Sequence, residues 1–298
     1  MNIGSTAEIS LAIAASVVLF ALLARAALHF FLRLHVSEQI GGNHNAALGI
    51  EYGGYFLGVL LIAGSVLGGL SKAGGGMPGA APPVFEWMHA LVLGGYGVFG
   101  VLALALFGRL GFRLLIRSNL VAGVRANNPA AGIVAAGGHV ATALVIAGAL
   151  SGDSSGGDFS VAGIFLVIGL VALWVITYLY RFITRYDDST EITNGNVAAA
   201  LSYAGMMIAI GIIVGHAING DFTDYSTSLR LTGKALLSVL ILYPVRQFIV
   251  QGILLGSGFR LYGGRLDNEI SRDGNTGAGS VEAAAYIASA LLALQVGY

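Results

Sequence analysis

Residues 191–199 read EITNGNVAA, and the pattern of this stretch recurs four times along the chain. Each copy consists of an aliphatic residue, a short polar link, an asparagine and then small residues that open an apolar segment. The other copies read EQIGGNHNAA at 38–47, VRANNPAA at 124–131 and EISRDGNTGA at 269–278. The second copy lacks the acidic residue before Val124, and the fourth has Gly277 in place of alanine. Such self-similarity indicates one supersecondary unit used four times.

Eight apolar segments surround these links, one on each side of every copy. Each is long enough to cross the ~30 Å hydrocarbon core of a bilayer as a helix, whose backbone groups are all paired internally. Because every unit then has two crossings, the four units point the same way, which favours a pseudo-symmetry axis along the membrane normal. The predicted class is all-α, a polytopic membrane protein with about eight transmembrane helices in four parallel helix-pair repeats. The predicted segments are 8–34, 44–70, 86–117, 128–151, 160–185, 195–219, 229–259 and 276–297.

The composition supports a membrane protein and argues against several functional classes. Of 298 residues, 56% are hydrophobic and 10% are charged, and the mean hydropathy is +0.81, whereas a soluble domain is about a quarter charged. Fifteen basic and fifteen acidic residues give a net charge of zero, which leaves no basic field for nucleic acid. The chain has no cysteine, so thiolate metal sites and cysteine nucleophiles are excluded. We expect no metal, no cofactor and no enzymatic activity, because no nucleophile or cofactor fingerprint is visible.

The arginines predict the orientation in the membrane. Basic residues near helix ends stay on the cytoplasmic side, and most of them follow the odd-numbered segments, whereas Lys72, Arg230 and Lys234 are on the other side. This bias predicts a multi-pass protein of the cytoplasmic membrane with both termini outside. The first segment follows Glu8 and precedes arginine, so we expect it to be retained and not cleaved as a signal peptide.

The four links resemble those of the YjfL-type inner-membrane family, known as domain of unknown function 350. The resemblance rests on the asparagine-containing link and the small-residue helix after it, and it covers nearly the whole chain. Members of that family usually have two helix pairs, so the resemblance implies two family units in tandem, at 1–152 and 153–298. It brings no established activity. Some relatives occur alongside PspA-like membrane-stress proteins, which suggests a membrane-stress process and a cytoplasmic membrane-stress protein as a partner.

Ionisable residues inside the apolar segments form the first candidate site. Aligned through their glycines, the even-numbered segments place four residues at one equivalent position, namely Glu51, Ala135, Tyr203 and Glu282. A charge at this depth costs ~3 kcal/mol on insertion scales, so it pairs, is protonated or faces water. Arg246 follows Pro244 in the middle of the seventh segment, and we expect it to reach Glu282. The predicted polar layer, which acts either as structural ion pairs or as a proton- or ion-linked site, comprises Glu51, Tyr203, Glu282, Arg25, Arg109 and Arg246.

A basic stripe at the ends of the odd-numbered segments is the second candidate. Its members are four residues apart and therefore share one helix face. The stripe consists of Arg25, His29 and Arg33 in the first segment, Arg109, Arg113 and Arg117 in the third, and Arg181 and Arg185 in the fifth. One interpretation is anchoring by positive charge on the cytoplasmic side, and the other is a site for anionic lipid headgroups.

Asparagines at the starts of the even-numbered segments are the third candidate. Their side-chain oxygens accept hydrogen bonds from unpaired amides of the first helical turn, so Asn43, Asn127, Asn196 and Asn275 are predicted N-caps, with Asn45 and Asn128 as further candidates. Four helix N-termini beside arginines would also form a vestibule that attracts anions.

Two functional hypotheses follow from these candidates. The first is a channel- or transporter-like role for a small ion, with the carboxylates as coupling or gating groups. The alternative is a non-enzymatic membrane scaffold in envelope or membrane-stress response that binds anionic lipid or a cytoplasmic partner. The sequence leaves open whether the chain forms a homo-oligomer.

Overall fold

The computed structural model describes residues 18–27, 36–73, 87–116, 119–151, 159–220, 222–260 and 262–295. Within these ranges every regular element is a helix, so the predicted all-α class is confirmed for the described part of the chain. The α-helices are α1 (Val18–Ala27), α2 (Ala46–Ala73), α3 (Trp87–Leu115), α4 (Leu120–Arg125), α5 (Pro129–Leu150), α6 (Phe159–Tyr180), α7 (Asp188–Thr193), α8 (Val197–Ala217), α9 (Tyr225–Leu236), α10 (Leu242–Pro244), α11 (Arg265–Ser271) and α12 (Thr276–Ala293). Glu38–Gly42 and Val245–Leu254 are π-helices, and Leu237–Ile241 is a 3-10 helix.

Six helical segments among the described residues are long and apolar enough to cross a membrane. They are Ala46–Val66, Gly97–Leu115, Pro129–Leu150, Ser160–Tyr180, Val197–Ala217 and Tyr225–Leu254. The predicted first span is described only over Val18–Ala27, and the predicted last span, α12, is not among the six. The count of eight spans and the four parallel helix pairs therefore stay predictions.

The predicted seventh segment, which has a proline kink site at Pro244, is broken into several helical types. It runs from Tyr225 to Leu254 and passes from α9 through the 3-10 helix and α10 into a π-helix of ten residues. Pro244 has no amide hydrogen and ends α10, so the regular hydrogen-bond ladder is interrupted there. π-helical turns are rare in proteins, and those that do occur are often at functional sites.

The centre of the molecule is a row of four core helices, α2, α5, α8 and α12, in which each contacts the next. Small residues let their backbones approach closely, which is how helices associate where lipid removes the hydrophobic driving force. A Cβ on Gly54 would lie 2.4 Å from the Cβ of Ala136, and one on Gly148 would lie 2.1 Å from the carbonyl oxygen of Gly215. These approaches require glycine.

Outer helices cover this row and carry apolar faces that no described helix covers. α3 packs against α2 and α5, and α6 packs against α5 and α8. Val167, Val171 and Val175 on α6 are each about half exposed. An exposed apolar stripe on a long helix fits contact with lipid chains.

The four links share one local geometry at the start of the core helices. The residue before each cap has a positive φ, at His44, Asn127, Gly195 and Gly274, a conformation that glycine and asparagine adopt at low cost. The cap residue that follows accepts a hydrogen bond from an amide of the first turn. These pairs are Asn45 with Leu48 (2.8 Å), Asn128 with Ala130 (3.0 Å), Asn196 with Ala199 (3.1 Å) and Asn275 with Ala278 (3.2 Å).

Two of the predicted caps are therefore corrected. Asn43 lies at the end of the first π-helix, and the cap of α2 is Asn45. Asn127 occupies the positive-φ position, and its side-chain oxygen accepts from the amide of Ala47 at 3.2 Å, across the interface with α2. The cap follows the aliphatic residue by five residues in the first and fourth links and by four in the second and third, and in the first three links the asparagine nearest to the aliphatic residue is not the cap.

Candidate functional site

A fully buried arginine with two carboxylates is the strongest candidate site. The side chains of Arg246 and Glu282 are both 0% exposed, and the Nε of Arg246 donates to Oε1 of Glu282 at 2.5 Å. A terminal nitrogen of the same guanidinium donates to Oδ1 of Asp267, whose side chain is 4% exposed. We call Arg246, Glu282 and Asp267 the buried triad.

Three elements bring the buried triad together. Arg246 comes from the second π-helix, Asp267 from the first turn of α11, and Glu282 from the middle of α12, which packs against that π-helix. The same π-helix buries Gln247 and Gln251, although long polar side chains are rarely buried. Both amide atoms of Gln251 are buried without a hydrogen-bond partner among the described residues. This interior is therefore polar.

The charges of the buried triad do not balance. One guanidinium faces two carboxylates, and the second oxygens of both carboxylates, Oδ2 of Asp267 and Oε2 of Glu282, have no hydrogen-bond partner among the described residues. With all three groups ionised the cluster has one excess negative charge, and a buried excess charge is expensive. A proton on one carboxyl, or a bound cation, neutralises it.

An open polar cavity of about 710 Å³ borders the buried triad on the side of the links. Asp267 is the member of the triad that lines this cavity, and its side chain is 4% exposed. Four arginines line it as well, namely Arg185, Arg260, Arg265 and Arg272. Arg185 also lies over the ring of Tyr262, with its guanidinium carbon 5.0 Å from the ring centroid.

Gly264 closes the wall between this cavity and the π-helix. Its φ is +136°, and a Cβ there would lie 2.0 Å from the side-chain oxygen of Gln251. Both the backbone conformation and the close approach call for glycine.

Asp188 and Arg181 form a polar cluster at the end of α6. The guanidinium of Arg181 donates to the carbonyl of Leu115 at 2.7 Å and to Asp187 at 2.9 Å, and its Nε is 4.0 Å from Asp188. Burial raises the pKa of Asp188 to about 7, although the charge of Arg181 opposes that rise. The pKa of the more exposed Asp187 is lowered, because hydrogen bonds from Thr190, Ser189 and Arg181 outweigh its partial burial.

Glu51 belongs to a second, separate cluster between α2, α3 and α5. Its Oε1 is 3.5 Å from Nε2 of His139, and the ring of His139 packs edge-on against Tyr55 at 5.1 Å. Arg109 is nearby and interacts electrostatically with Glu51, but its Nε and one terminal nitrogen are buried without hydrogen-bond partners among the described residues. This cluster pairs its carboxylate with a histidine.

The predicted polar layer is thus two clusters. Glu282 and Arg246 are in one, and Glu51 and Arg109 are in the other. Tyr203 is buried on α8, and its hydroxyl has no hydrogen-bond partner among the described residues. Arg25 is exposed on α1.

The predicted basic stripe is partly described. Arg113 and Arg185 are exposed and Arg181 is largely buried in the polar cluster. Arg33 and Arg117 lie outside the described residues.

The predicted equivalence of Glu51 and Glu282 is wrong by one residue. Glu51 is the sixth residue after its cap Asn45, whereas Glu282 is the seventh after its cap Asn275. One residue rotates a side chain by about 100° around the helix. The two carboxylates therefore face different neighbours.

Sequence reasoning missed Asp267, Asp188 and the two glutamines of the π-helix. Asp267 and Asp188 occur in polar links, where a carboxylate is ordinary, so nothing local signals burial. The signal available for Gln247 and Gln251 is their position one and five residues after Arg246 inside an apolar segment. Three polar residues in such a segment indicate a shared interior.

Comparisons with known proteins give the following matches. The model of a family described as Domain of Unknown Function (DUF350) matches residues 3–150 and again residues 158–296. A UPF0719 transmembrane protein of Aquifex aeolicus (strain VF5) is 24% identical over 276 residues, which is 90% of this chain and 91% of the relative. No solved structure matches.

Proposed function

From the premise that this chain belongs to the family described as Domain of Unknown Function (DUF350), we propose that it is a channel- or transporter-like protein for a small cation. The proposed ion is a proton or a small monovalent cation, and the buried triad is its binding site. The chain is an integral membrane protein, as its transmembrane relative and six apolar helices indicate.

The excess negative charge of the buried triad carries the proposal. Arg246 alone cannot neutralise both Glu282 and Asp267. A purely structural ion pair needs one carboxylate, and a second one at the same guanidinium adds a desolvation cost without need. A site that binds and releases a cation uses that second carboxylate. The carboxylate binds the cation in the loaded state and pairs with Arg246 in the empty state.

Access to the site supports the same function. Asp267 lines the open cavity, and the arginine bias predicts that this side is cytoplasmic. Next to Arg246 on the same helical segment, the side-chain amide of Gln247 donates to the hydroxyl of Tyr243 at 3.3 Å. Polar groups beside a buried charge are typical of ion pathways in membranes.

A flux assay in proteoliposomes tests the proposal. The purified protein is reconstituted with a pH-sensitive dye inside, and an imposed membrane potential drives proton entry, with Na⁺ and K⁺ gradients as separate arms. We expect flux with the unmodified chain and loss of most of it with Asp267→Asn. Glu269→Gln is the matched control, because Glu269 is on the same short helix and lines the same cavity but pairs with Arg265 at 3.0 Å. Absence of flux above protein-free vesicles in all three arms would overturn the proposal.

A membrane scaffold that binds anionic lipid is the second candidate. The observation that favours it is the group of four arginines around the cavity. If the flux assay is negative while the purified protein retains anionic lipid, and Arg260→Gln together with Arg272→Gln releases that lipid, the scaffold is favoured.

A further inference from the structure

The links of consecutive core helices are joined by one hydrogen bond that recurs three times. The side-chain amide of each cap asparagine donates to the carbonyl of the aliphatic residue in the following link. The pairs are Asn45 to Val124 (3.0 Å), Asn128 to Ile192 (2.9 Å) and Asn196 to Ile270 (2.8 Å). The interface between neighbouring links therefore has a direction, from cap to carbonyl.

The helix contacts recur in the same direction. A Cβ on Gly54 would meet Ala136, one on Gly137 would meet Ala204, and one on Gly205 would meet Ala283. Each contact joins the ninth residue after one cap to the eighth residue after the next. A second contact of this kind places Gly132 against the carbonyl of Ala47 and Gly279 against the carbonyl of Ala198. One geometry therefore describes the whole row.

The last core helix, α12, has the donor half of this interface, and no described residue outside its own link packs on it. Asn275 is exposed, and the partner of its side-chain amide is Glu269 of its own link, at 2.9 Å. Asn196 makes the equivalent bond to Glu191 and still donates to the next link. Gly277 and Ala284, at the positions of Ala198 and Gly205, are exposed as well.

The first core helix, α2, has the acceptor half of the same interface, and this half is open among the described residues. Gly49, Gly53 and Gly64 of α2 correspond to Gly132, Ala136 and Ala147 of α5, which contact the preceding helix. A Cβ on any of these three glycines of α2 would meet no described atom within 4 Å. Among the described residues, nothing packs on these three small residues, which lie on the face that packs closely in the other core helices.

We propose that the chain assembles head to tail with a second copy of itself, with the α12 face of one copy on the α2 face of the next. In this interface Asn275 donates to the carbonyl of Ile40, Ala284 packs on Gly53, and Gly277 packs on Gly49. Leu60, at the position of Ala143, is bulkier than its counterpart, and the small exposed Ala288 lies opposite it. The two faces differ from each other, so the contact is heterologous and closes a ring or continues as a row.

Cross-linking in the cysteine-free chain tests the direction of this contact. Gly41 and Thr276 are exposed in the first and last links, beside Ile40 and Asn275. Gly41→Cys and Thr276→Cys chains are co-expressed in membranes and treated with a short bifunctional thiol reagent. We expect a cross-linked dimer from the mixture and none from either variant alone. The matched control replaces Gly41→Cys with Ala126→Cys, an exposed position in a link that already has a neighbour on each side.

The outcomes decide the proposal. The mixture should give about tenfold more dimer than the control, since proximity raises the effective concentration. Equal yields, dimers from a single variant alone, or a monomeric mass of the protein in lipid nanodiscs would each overturn it. As a second measurement, Gly53→Leu should reduce the cross-link between Gly41→Cys and Thr276→Cys, whereas Gly163→Leu, at an open glycine of α6, should not.

Discussion

Removing both carboxylates from the buried triad should destabilise the protein by more than the sum of the two single changes. Glu282→Gln leaves Arg246 paired with Asp267, and Asp267→Asn leaves it paired with Glu282. In either single variant the guanidinium keeps one counter-charge. In the double variant a fully buried cation has no counter-charge among the groups that contact it.

The magnitudes follow from the burial of the pair. Each single change removes one charge-assisted hydrogen bond, worth about 1.5–3 kcal/mol, but it also removes the excess negative charge, so the free energy of unfolding should fall by less than that amount. The double change orphans a charge that is 0% exposed, which adds an interaction energy of about 1–3 kcal/mol beyond the sum. Adding Arg246→Gln to the double variant should recover much of the loss, because no buried charge remains.

The assay is reversible unfolding in mixed micelles, followed by tryptophan fluorescence as sodium dodecyl sulfate is titrated. Glu269→Gln serves as the control, because its carboxylate is outside the triad. A double variant whose loss equals the sum of the singles, together with a triple variant that regains nothing, would refute the argument that the triad is one coupled unit.

Three other predictions concern the links and the core. Asp188→Asn should flatten the pH dependence of stability. The carboxyl of Asp188 has a folded pKa of about 7 against an ordinary 3.8, so the wild type is relatively stabilised below pH ~4 and loses up to about 4 kcal/mol of that stabilisation as the pH rises through 7. Unfolding curves at pH 5 and pH 8 should therefore converge in the variant. Gly205→Ala should cost about 1–3 kcal/mol by overpacking against Ala283, and a cost equal to that of Gly163→Ala would contradict the close helix approach. Asn127→Ala should be about 1 kcal/mol less stable than Asn127→Gly, because only the alanine is strained at φ +57°, and equal melting temperatures would count against that backbone assignment.

The features that depend on bulk composition and on chemical repetition were accessible from the sequence. Low charge and long apolar segments indicate membrane helices, and the fourfold link marks where the core helices start. Arg246 was accessible because an arginine just after a proline inside an apolar segment needs a partner. The depths of Arg246 and Glu282 in the membrane were then enough to predict that the two side chains meet.

The features that the sequence did not predict depend on how each helix is rotated about its axis and on tertiary contacts. The alignment of the core helices used Gly53, but its neighbour Gly54 makes the close contact equivalent to those of Gly137 and Gly205, so Glu51 was misaligned by one residue. The burial of Asp267 depends on how α11 folds back over the second π-helix, a tertiary contact with no local signature. Glu51 contacts His139 because α5 packs against that face of α2, while Arg109 of α3 also interacts with Glu51 electrostatically.

The directional hydrogen bond between links also implies an order of assembly during synthesis. The side-chain amides of the first three cap asparagines hydrogen-bond to carbonyls that are synthesised 64 to 79 residues later. The amide of Ala47 likewise acquires its partner only when Asn127 is made. Each core helix can therefore enter the membrane with its first turn partly unpaired and become locked when its successor arrives. Nascent chains that stop after one helix pair should remain more open to proteolysis at the link than chains that stop after two.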